Sequence, residues 1–394
     1  MHTTPNNNPQ QHATGIAGAL AEGRILILDG AMGTMLQRAG LGEADFSRGA
    51  TAGRGRALKG DNECLNLTRP DVVRRIHDEY IAAGADIIET NTFGANSVAQ
   101  AEYGCADLAC DMALEGARIA RRAADEALLK TGRRVFVAGS VGPTSKSLSM
   151  SPDVDDPSAR ALSFDDMAQA YAGQMRGLIE GGADVLMIET CYDALNTKAA
   201  LYALRQLLDD PQLTADPAVK SRLAADGTFP VIISATVNDK SGRTLTGQTL
   251  EAFYTAVSHY PLTAFGLNCS FGADDMHPLL KDVAAFARCP VSCHPNAGLP
   301  DGLGGYAETP AQMAAVARRM AADGLLNIIG GCCGTTPEYI RAIAEAVSGL
   351  PARRTPADAT AADGRGPLAV SGLEAVHIDL KTRNFTNVGE RTNV

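Results

Sequence analysis

The sequence contains no tryptophan, and aromatic residues make up only 5% of its 394 residues. Tryptophan is a frequent stacking platform for sugars, so its absence weighs against a carbohydrate-processing enzyme. A basic excess is also lacking, because the formal net charge is −10. That charge argues against nucleic acid or an anionic membrane as the main partner. No apolar run reaches the roughly 20 residues that a membrane-spanning helix needs.

The start of the chain lacks the basic and apolar regions of a secretory signal peptide. It is instead rich in Asn, Gln, Thr and Pro, and we predict a disordered tail over residues 1–20. The nine cysteines are odd in number and show no spacing typical of a disulfide framework. They favour a reducing compartment, so we predict a cytoplasmic protein with some functional thiols.

Eight short apolar runs, each followed by a helical pattern, organise the chain between residues 21 and 350. The runs lie at 24–29, 85–90, 135–140, 185–189, 231–236, 264–269, 290–294 and 325–331. They are continuous rather than alternating, which is typical of strands buried on both faces. Eight such β-α units predict an α/β fold of the (β/α)8 TIM barrel type. An open doubly wound sheet is the alternative, but no Gly-x-Gly-x-x-Gly follows the first run.

The character of the chain changes after residue 350. Residues 351–384 begin with a stretch rich in Ala, Pro, Asp, Arg and Gly, and we predict a linker there. Residues 385–394 look like the opening of a further element.

Polar and thiol side chains stand where the predicted strands end, the edge at which barrel enzymes carry out their chemistry. These residues are Asp29, Glu89, Thr90, Ser140, Glu189, Thr236, Cys269, His294, Asn296, Cys332 and Cys333. Cys332 and Cys333 are adjacent, so they cannot easily form an unstrained disulfide with each other. With Cys269 they could surround one Zn²⁺ and leave its fourth position open, as in a catalytic zinc site.

Two alternatives to this zinc site remain. The cysteines could be ordinary buried core residues, and His294 could be a rival ligand or a core histidine bonded to backbone. If zinc is bound, three thiolates make it a poor activator of water. Such a site suits the binding and deprotonation of a further thiol, which points to a thiol substrate and to alkyl transfer onto sulfur.

Asp29 and Glu189 are carboxylates at the ends of buried strands and need a cation or hydrogen-bond donors. Asp29 could cap the helix that follows Gly30, and Glu189 could form an internal ion pair. The functional interpretation is that both hold the ammonium group of an amino-acid substrate. Backbone N–H groups near Gly30 or Thr90 would then hold its carboxylate.

These motifs resemble those of the homocysteine S-methyltransferase family. Residues 28–34 (LDGAMGT) look like its opening motif, and 266–269 (GLNC) and 330–334 (GGCCG) look like its zinc motifs. Within the family, the resemblance is strongest to the homocysteine-binding module of cobalamin-dependent methionine synthase. The segments that carry it are 91–93, 139–144, 242–247, 294–298 and 387–393, the last resembling the start of a folate-binding module.

The resemblance implies that Cys269, Cys332 and Cys333 bind zinc and that Asp29 and Glu189 hold the amino group of L-homocysteine. Asn296 is implied as a candidate weak fourth ligand when substrate is absent. The implied methyl donor is methylcobalamin, carried by a cobalamin-binding module in the same or a second chain together with a folate-binding module. The implied product is L-methionine.

Three other functions stay open from the sequence. A stand-alone methyltransferase could use betaine or S-methylmethionine as the donor, although residues 387–393 disfavour it. A glycosidase could use Asp29 and Glu189 as its carboxylate pair, but the cysteines would then have no purpose. A redox or structural zinc module without catalysis would need a closed fourth ligand.

Overall fold

The computed structural model describes residues 15–299, 305–356, 368–379 and 385. The strands are β1 (Leu26–Ile27), β2 (Ile87–Glu89), β3 (Phe136–Val141), β4 (Val185–Cys191), β5 (Val231–Ala235), β6 (Ala264–Gly272), β7 (Val291–Asn296), β8 (Ile328–Ile329), β9 (Leu368–Ser371) and β10 (Ala375–Ile378). The helices are α1 (Ile16–Ala21), α2 (Met32–Arg38), α3 (Glu43–Phe46), α4 (Leu65–Thr68), α5 (Pro70–Ala82), α6 (Ser97–Ala101), α7 (Ala109–Thr131), α8 (Phe164–Gly181), α9 (Ala194–Leu208), α10 (Pro211–Thr214), α11 (Pro217–Lys220), α12 (Leu250–Val257), α13 (Ala273–Phe286), α14 (Pro310–Ala322) and α15 (Pro337–Val347).

The first eight strands form one parallel sheet in the order β1-β8-β7-β6-β5-β4-β3-β2. The two ends of this order meet, because Asp29 N–H donates to Ile87 carbonyl oxygen at 3.0 Å and Asp86 N–H donates to that of Ile27 at 2.7 Å. The sheet therefore closes on itself with helices around it, and the predicted (β/α)8 barrel is confirmed.

The barrel follows from local sequence signals. All residues of β3, β5 and β7 are buried, as expected for strands covered by helices on one side and core on the other. Helix α8 begins at Ser163, whose hydroxyl accepts from Asp166 N–H while the Asp166 carboxylate accepts in return, forming a capping box. It ends at Gly182, which adopts the left-handed conformation at φ 106°.

The predicted disordered tail is wrong over residues 16–20, because helix α1 occupies them. Its residues Ile16, Ala19 and Leu20 are buried against Leu26, Phe136 and other strand residues that fill the barrel interior. These three apolar side chains fall on one face of a single helical turn and a half, too short a pattern to stand out from a polar tail. The helix closes the N-terminal end of the barrel, opposite the strand ends that carry the polar residues.

The predicted linker over residues 351–384 needs correction over 351–356 and 368–379, and its other residues lie outside the described part of the chain. Arg353 is buried and its guanidinium donates to the carbonyl oxygens of Ala284, Ala287 and Cys289. Further on, β9 and β10 pair as an antiparallel hairpin, which is tied to the loop before α12 by a hydrogen bond from Thr249 N–H to the Leu373 carbonyl oxygen. Apart from Phe385, the predicted start of a further module at 385–394 lies outside the described residues.

None of the helices in the described part of the chain combines the length and the apolar character required to cross a bilayer.

Candidate metal centre and substrate pocket

A cavity of about 770 Å³ opens at the C-terminal ends of the barrel strands. We call it the site pocket. Its lining includes Gly30, Glu89, Thr90, Glu189, Cys269, His294, Cys332 and Cys333. The topology therefore brings together most of the residues that the sequence predicted at separate strand ends, because parallel strands place all their carboxyl ends at one rim. Asp29, Thr236 and Asn296 are not among the lining residues.

The three predicted thiols form one cluster in this pocket. The Cys333 sulfur lies 3.9 Å from the sulfurs of both Cys269 and Cys332, and the three sulfurs lie within 4.8 Å of one another. Tetrahedral zinc with Zn–S bonds of about 2.3 Å places its sulfur ligands roughly 3.8 Å apart. The spacing of the thiols therefore fits a single tetrahedral ion with three protein ligands and one position left for another group.

Close backbone packing holds the loop that carries Cys332 and Cys333. Gly331 N–H donates to the Asp29 carbonyl oxygen at 3.0 Å, and Cys332 N–H donates to that of Pro295 at 2.7 Å. A Cβ on Gly331 would lie 2.5 Å from the Thr335 side chain. Glycine is thus required where strand β8 passes into the loop, and the loop is fastened to the ends of both neighbouring strands.

The thiols in this cluster do not titrate independently. The pKa of Cys333 falls to about 3, because the thiols of Cys269 and Cys332 donate hydrogen bonds to its sulfur and the Tyr306 hydroxyl adds another. The pKa of Cys332 rises well above its ordinary range, because its proton is held between neighbouring sulfurs. The cluster already stabilises a thiolate, and a cation among the sulfurs would favour the release of the remaining protons.

Asn296 and His294 both lie next to the thiol cluster. The Asn296 side-chain oxygen accepts a hydrogen bond from Cys333 N–H at 3.1 Å, so this oxygen already orients a cysteine; its role as weak fourth ligand stays a prediction. His294 also lies beside the carboxylates, its ring within 4.8 Å of Glu89 and Glu189 oxygens. Burial lowers the pKa of His294 to about 4, so the ring is neutral.

The carboxyl groups of Glu89 and Glu189 line the buried end of the pocket, and a third carboxyl group, on Asp29, is buried next to Glu89. The Asp29 carboxylate accepts from Glu89 N–H at 3.0 Å, and Glu189 accepts from the Ser140 hydroxyl at 2.5 Å. One oxygen of Asp29 and one of Glu89 have no hydrogen-bond partner among the described residues. Unpaired buried carboxyl oxygens are costly, so the three acids leave acceptor positions that suit a ligand with several N–H donors.

Burial dominates the electrostatics of these acids. It raises the pKa of Asp29 and of Glu89 well above the usual range, and it raises the pKa of Glu189 to about 7. In the free protein, burial therefore favours the protonated forms of Asp29 and Glu89, and Glu189 is partly ionised near neutral pH. A cationic group entering the pocket would draw them toward the ionised form.

Gly30 and Thr90, which were predicted to lie near the substrate carboxylate, both line the pocket. A Cβ on Gly30 would lie 2.8 Å from the Thr335 hydroxyl. The N–H of Thr90 donates to the Ala138 carbonyl oxygen within the sheet, and its hydroxyl pairs with that of Thr92 at 2.6 Å. Thr90 therefore shapes the wall, and its part in carboxylate binding stays a prediction.

Sequence reasoning did not assign two acidic residues of the pocket. Glu89 ends β2, and Asp29 closely follows β1. This equivalent position could have indicated from the sequence that Glu89 shares the role of Asp29. Glu63 lies in the insert between β1 and β2, where no periodic pattern points to a site. It accepts from Gly94 N–H at 2.7 Å, and burial raises its pKa to about 7. The acidic character of the pocket is therefore stronger than predicted.

Comparison with known proteins is consistent with this geometry. A family model described as homocysteine S-methyltransferase matches residues 26–347. The metallated form of homocysteine methyltransferase MmuM from Escherichia coli is similar in structure, with a TM-score of 0.63 and 23% identity over 85% of this chain and 99% of that one. Its oxidised form gives a TM-score of 0.61 and 23% identity, over 82% of this chain and 95% of that one. At this identity the structural likeness concerns the fold.

Proposed function

The chain belongs to the homocysteine S-methyltransferase family, and from this premise we propose that it transfers a methyl group to the sulfur of L-homocysteine and yields L-methionine. The observation that carries the proposal is the cluster of three thiols at the strand ends, in which the Cys333 sulfur lies 3.9 Å from each of the other two sulfurs. The substrate is a thiol amino acid, so it needs a site for sulfur and a site for an ammonium group. The site pocket offers both.

We assign Cys269, Cys332 and Cys333 as the residues that hold zinc. When bound, zinc supplies a strongly lowered thiol pKa, so that a substrate sulfur is a nucleophilic thiolate at neutral pH. The protein's contribution is to fix the three sulfurs beforehand. The bonds from Cys332 N–H to Pro295 and from Cys333 N–H to Asn296 orient the two adjacent cysteines without any ligand.

Asp29, Glu89 and Glu189 bind the substrate ammonium in this proposal. An ammonium group has three N–H donors, and the acids offer unpaired oxygens on Asp29 and Glu89. Binding shifts these groups toward the ionised state and replaces protons with a substrate charge. The same contacts orient the substrate, which raises the rate by fixing the sulfur before the methyl donor arrives.

The methyl donor in our proposal is methylcobalamin, presented by a cobalamin-binding module in the same or a second chain, with a folate-binding module beside it. Two observations support this choice. Residues 387–393 resemble the start of a folate-binding module, and the pocket of about 770 Å³ is open and far larger than an amino acid of eight non-hydrogen atoms. A stand-alone enzyme using betaine or S-methylmethionine is the second candidate.

The experiment that tests the function compares Cys332→Ala with Cys110→Ala, a half-buried thiol on α7 that does not line the pocket. We expect Cys332→Ala to lose zinc and homocysteine-dependent methyl transfer, because two thiolates bind zinc more weakly than three. Cys110→Ala should retain both. Activity with free methylcobalamin, betaine and S-methylmethionine identifies the donor. Full activity of a zinc-free Cys332→Ala protein would refute the proposal.

A further inference from the structure

A buried amide connects the two ends of the site pocket. Asn268 on β6 is completely buried and directly precedes Cys269. Its side-chain oxygen accepts from Thr190 N–H at 2.9 Å and from the Ser234 hydroxyl at 2.7 Å. Its side-chain nitrogen donates to the Thr190 hydroxyl at 2.8 Å. Thr190 directly follows Glu189 on β4, and Asn268 directly precedes Cys269 on β6. The Asn268 side chain therefore links the backbone next to an acid of the pocket to the strand that carries one of the thiols.

These hydrogen bonds reach across a strand. Strand β5 lies between β4 and β6 in the sheet, so Asn268 spans from β6 past β5 to β4. It bonds Ser234 on β5 on the way. Neighbouring strands of a barrel are already held together by the backbone hydrogen bonds of the sheet. A hydrogen bond between β4 and β6, which are not neighbours, instead restricts the distance across the mouth of the barrel. Asn268 therefore constrains a separation that sheet pairing alone leaves adjustable.

The backbone at both attachment points is strained. In the described residues, the non-glycine positions with positive φ are Thr190 at 54°, Cys269 at 59° and Ser270 at 46°. The strand pairing also shifts register at these positions, between Ile188 and Cys191 on β4 and between Cys269 and Gly272 on β6. Such conformations are unfavourable for non-glycine residues and persist only where surrounding contacts hold them. The Asn268 amide supplies contacts of that kind.

We propose that Asn268 is a positioning residue that sets the distance between Cys269 of the thiol cluster and Glu189 of the ammonium-binding acids, and thereby selects homocysteine over the shorter amino acid cysteine. The inference rests on the proposed function. Under that function Cys269 would help to hold the zinc that receives the substrate sulfur, and Glu189 would bind the substrate ammonium. Homocysteine has one more methylene than cysteine between these two groups. A fixed separation lets only one chain length reach both ends of the pocket.

The test uses the Co²⁺-substituted full chain, because the absorption bands of Co²⁺ change when a further thiolate binds. Three thiols are titrated: L-homocysteine, L-cysteine and 4-mercaptobutyrate, which has the homocysteine chain length and carboxylate but no ammonium. The variants are Asn268→Ala and Thr190→Val, which removes only the hydroxyl acceptor. The matched control is Asn327→Ala, because Asn327 is a buried amide at the other end of the barrel that bonds Val291 N–H and the Arg353 carbonyl oxygen.

We expect Asn268→Ala to reduce the preference for homocysteine over cysteine by about tenfold, the effect of losing roughly one to two hydrogen bonds. Thr190→Val should reduce it by a smaller factor, and both variants should bind 4-mercaptobutyrate like the wild type. Asn327→Ala should leave the preference unchanged. If Asn268→Ala does not fold, Thr190→Val alone decides.

Two results would overturn the inference while leaving the proposed function intact. One is an unchanged preference in both pocket variants. The other is an equal loss of affinity for all three thiols, which would mean that Asn268 shapes only the metal site. A wild-type protein whose Co²⁺ spectrum does not respond to homocysteine would instead refute the proposed function itself.

Discussion

Replacing Glu189 with glutamine should stabilise the fold and impair the function. Glu189 is buried at the end of β4, and burial raises its pKa from about 4.5 to about 7. The native state therefore holds a proton that the unfolded chain has already released between these pH values. Native stability falls as pH rises through this window, by roughly 3 kcal/mol in total. Glutamine carries no charge and can still accept from the Ser140 hydroxyl, so it avoids this loss.

Urea denaturation of wild type and Glu189→Gln at pH 5 and pH 8 measures the effect. The variant should gain up to about 3 kcal/mol over the wild type at pH 8 and much less at pH 5. Its affinity for L-homocysteine should fall by about 10- to 100-fold, because a charge-assisted hydrogen bond to the ammonium is lost. A variant that is destabilised equally at both pH values, or that binds homocysteine like the wild type, would refute the reasoning.

Two further predictions follow from the same pocket. L-Methionine, which has the ammonium but no thiol, should bind more tightly as pH rises from 5 to 8, because Glu189, with a pKa of about 7, must lose its proton to pair with the ammonium. Calorimetric titration would show this, and an affinity that stays constant between pH 5 and 8 would contradict it. Gly331→Ala should cost about 1–3 kcal/mol and weaken zinc binding, because its Cβ would lie 2.5 Å from Thr335. Gly173→Ala, in open space on α8, is the matched control and should be neutral or slightly stabilising in denaturation and metal-content measurements.

The barrel was predictable because its strands are continuous apolar runs that recur with helices between them. Such a pattern depends on local sequence alone. The convergence of Asp29, Glu189 and the three cysteines then followed from topology, since all strand ends share one rim. The thiol pair Cys332-Cys333 was visible because adjacent cysteines between glycines have few structural uses.

Other features depend on contacts between distant segments, which the sequence does not reveal. Helix α1 is too short for its apolar face to stand out, yet it fills the end of the barrel. Arg353 lies in a stretch with the composition of a linker, but its guanidinium satisfies three carbonyl oxygens of the barrel. The side chain of Asn268 gains its role only when β4 and β6 lie on either side of β5.

The central claim is that three cysteines hold a zinc ion whose remaining position accepts the sulfur of homocysteine. X-ray absorption at the zinc edge, recorded on the full chain with and without L-homocysteine, tests it most directly. The account predicts three sulfur ligands in the free protein, a fourth after homocysteine is added, and no change with L-methionine as a control. An unchanged sulfur count on adding homocysteine, or four sulfur ligands already present without it, would contradict the account.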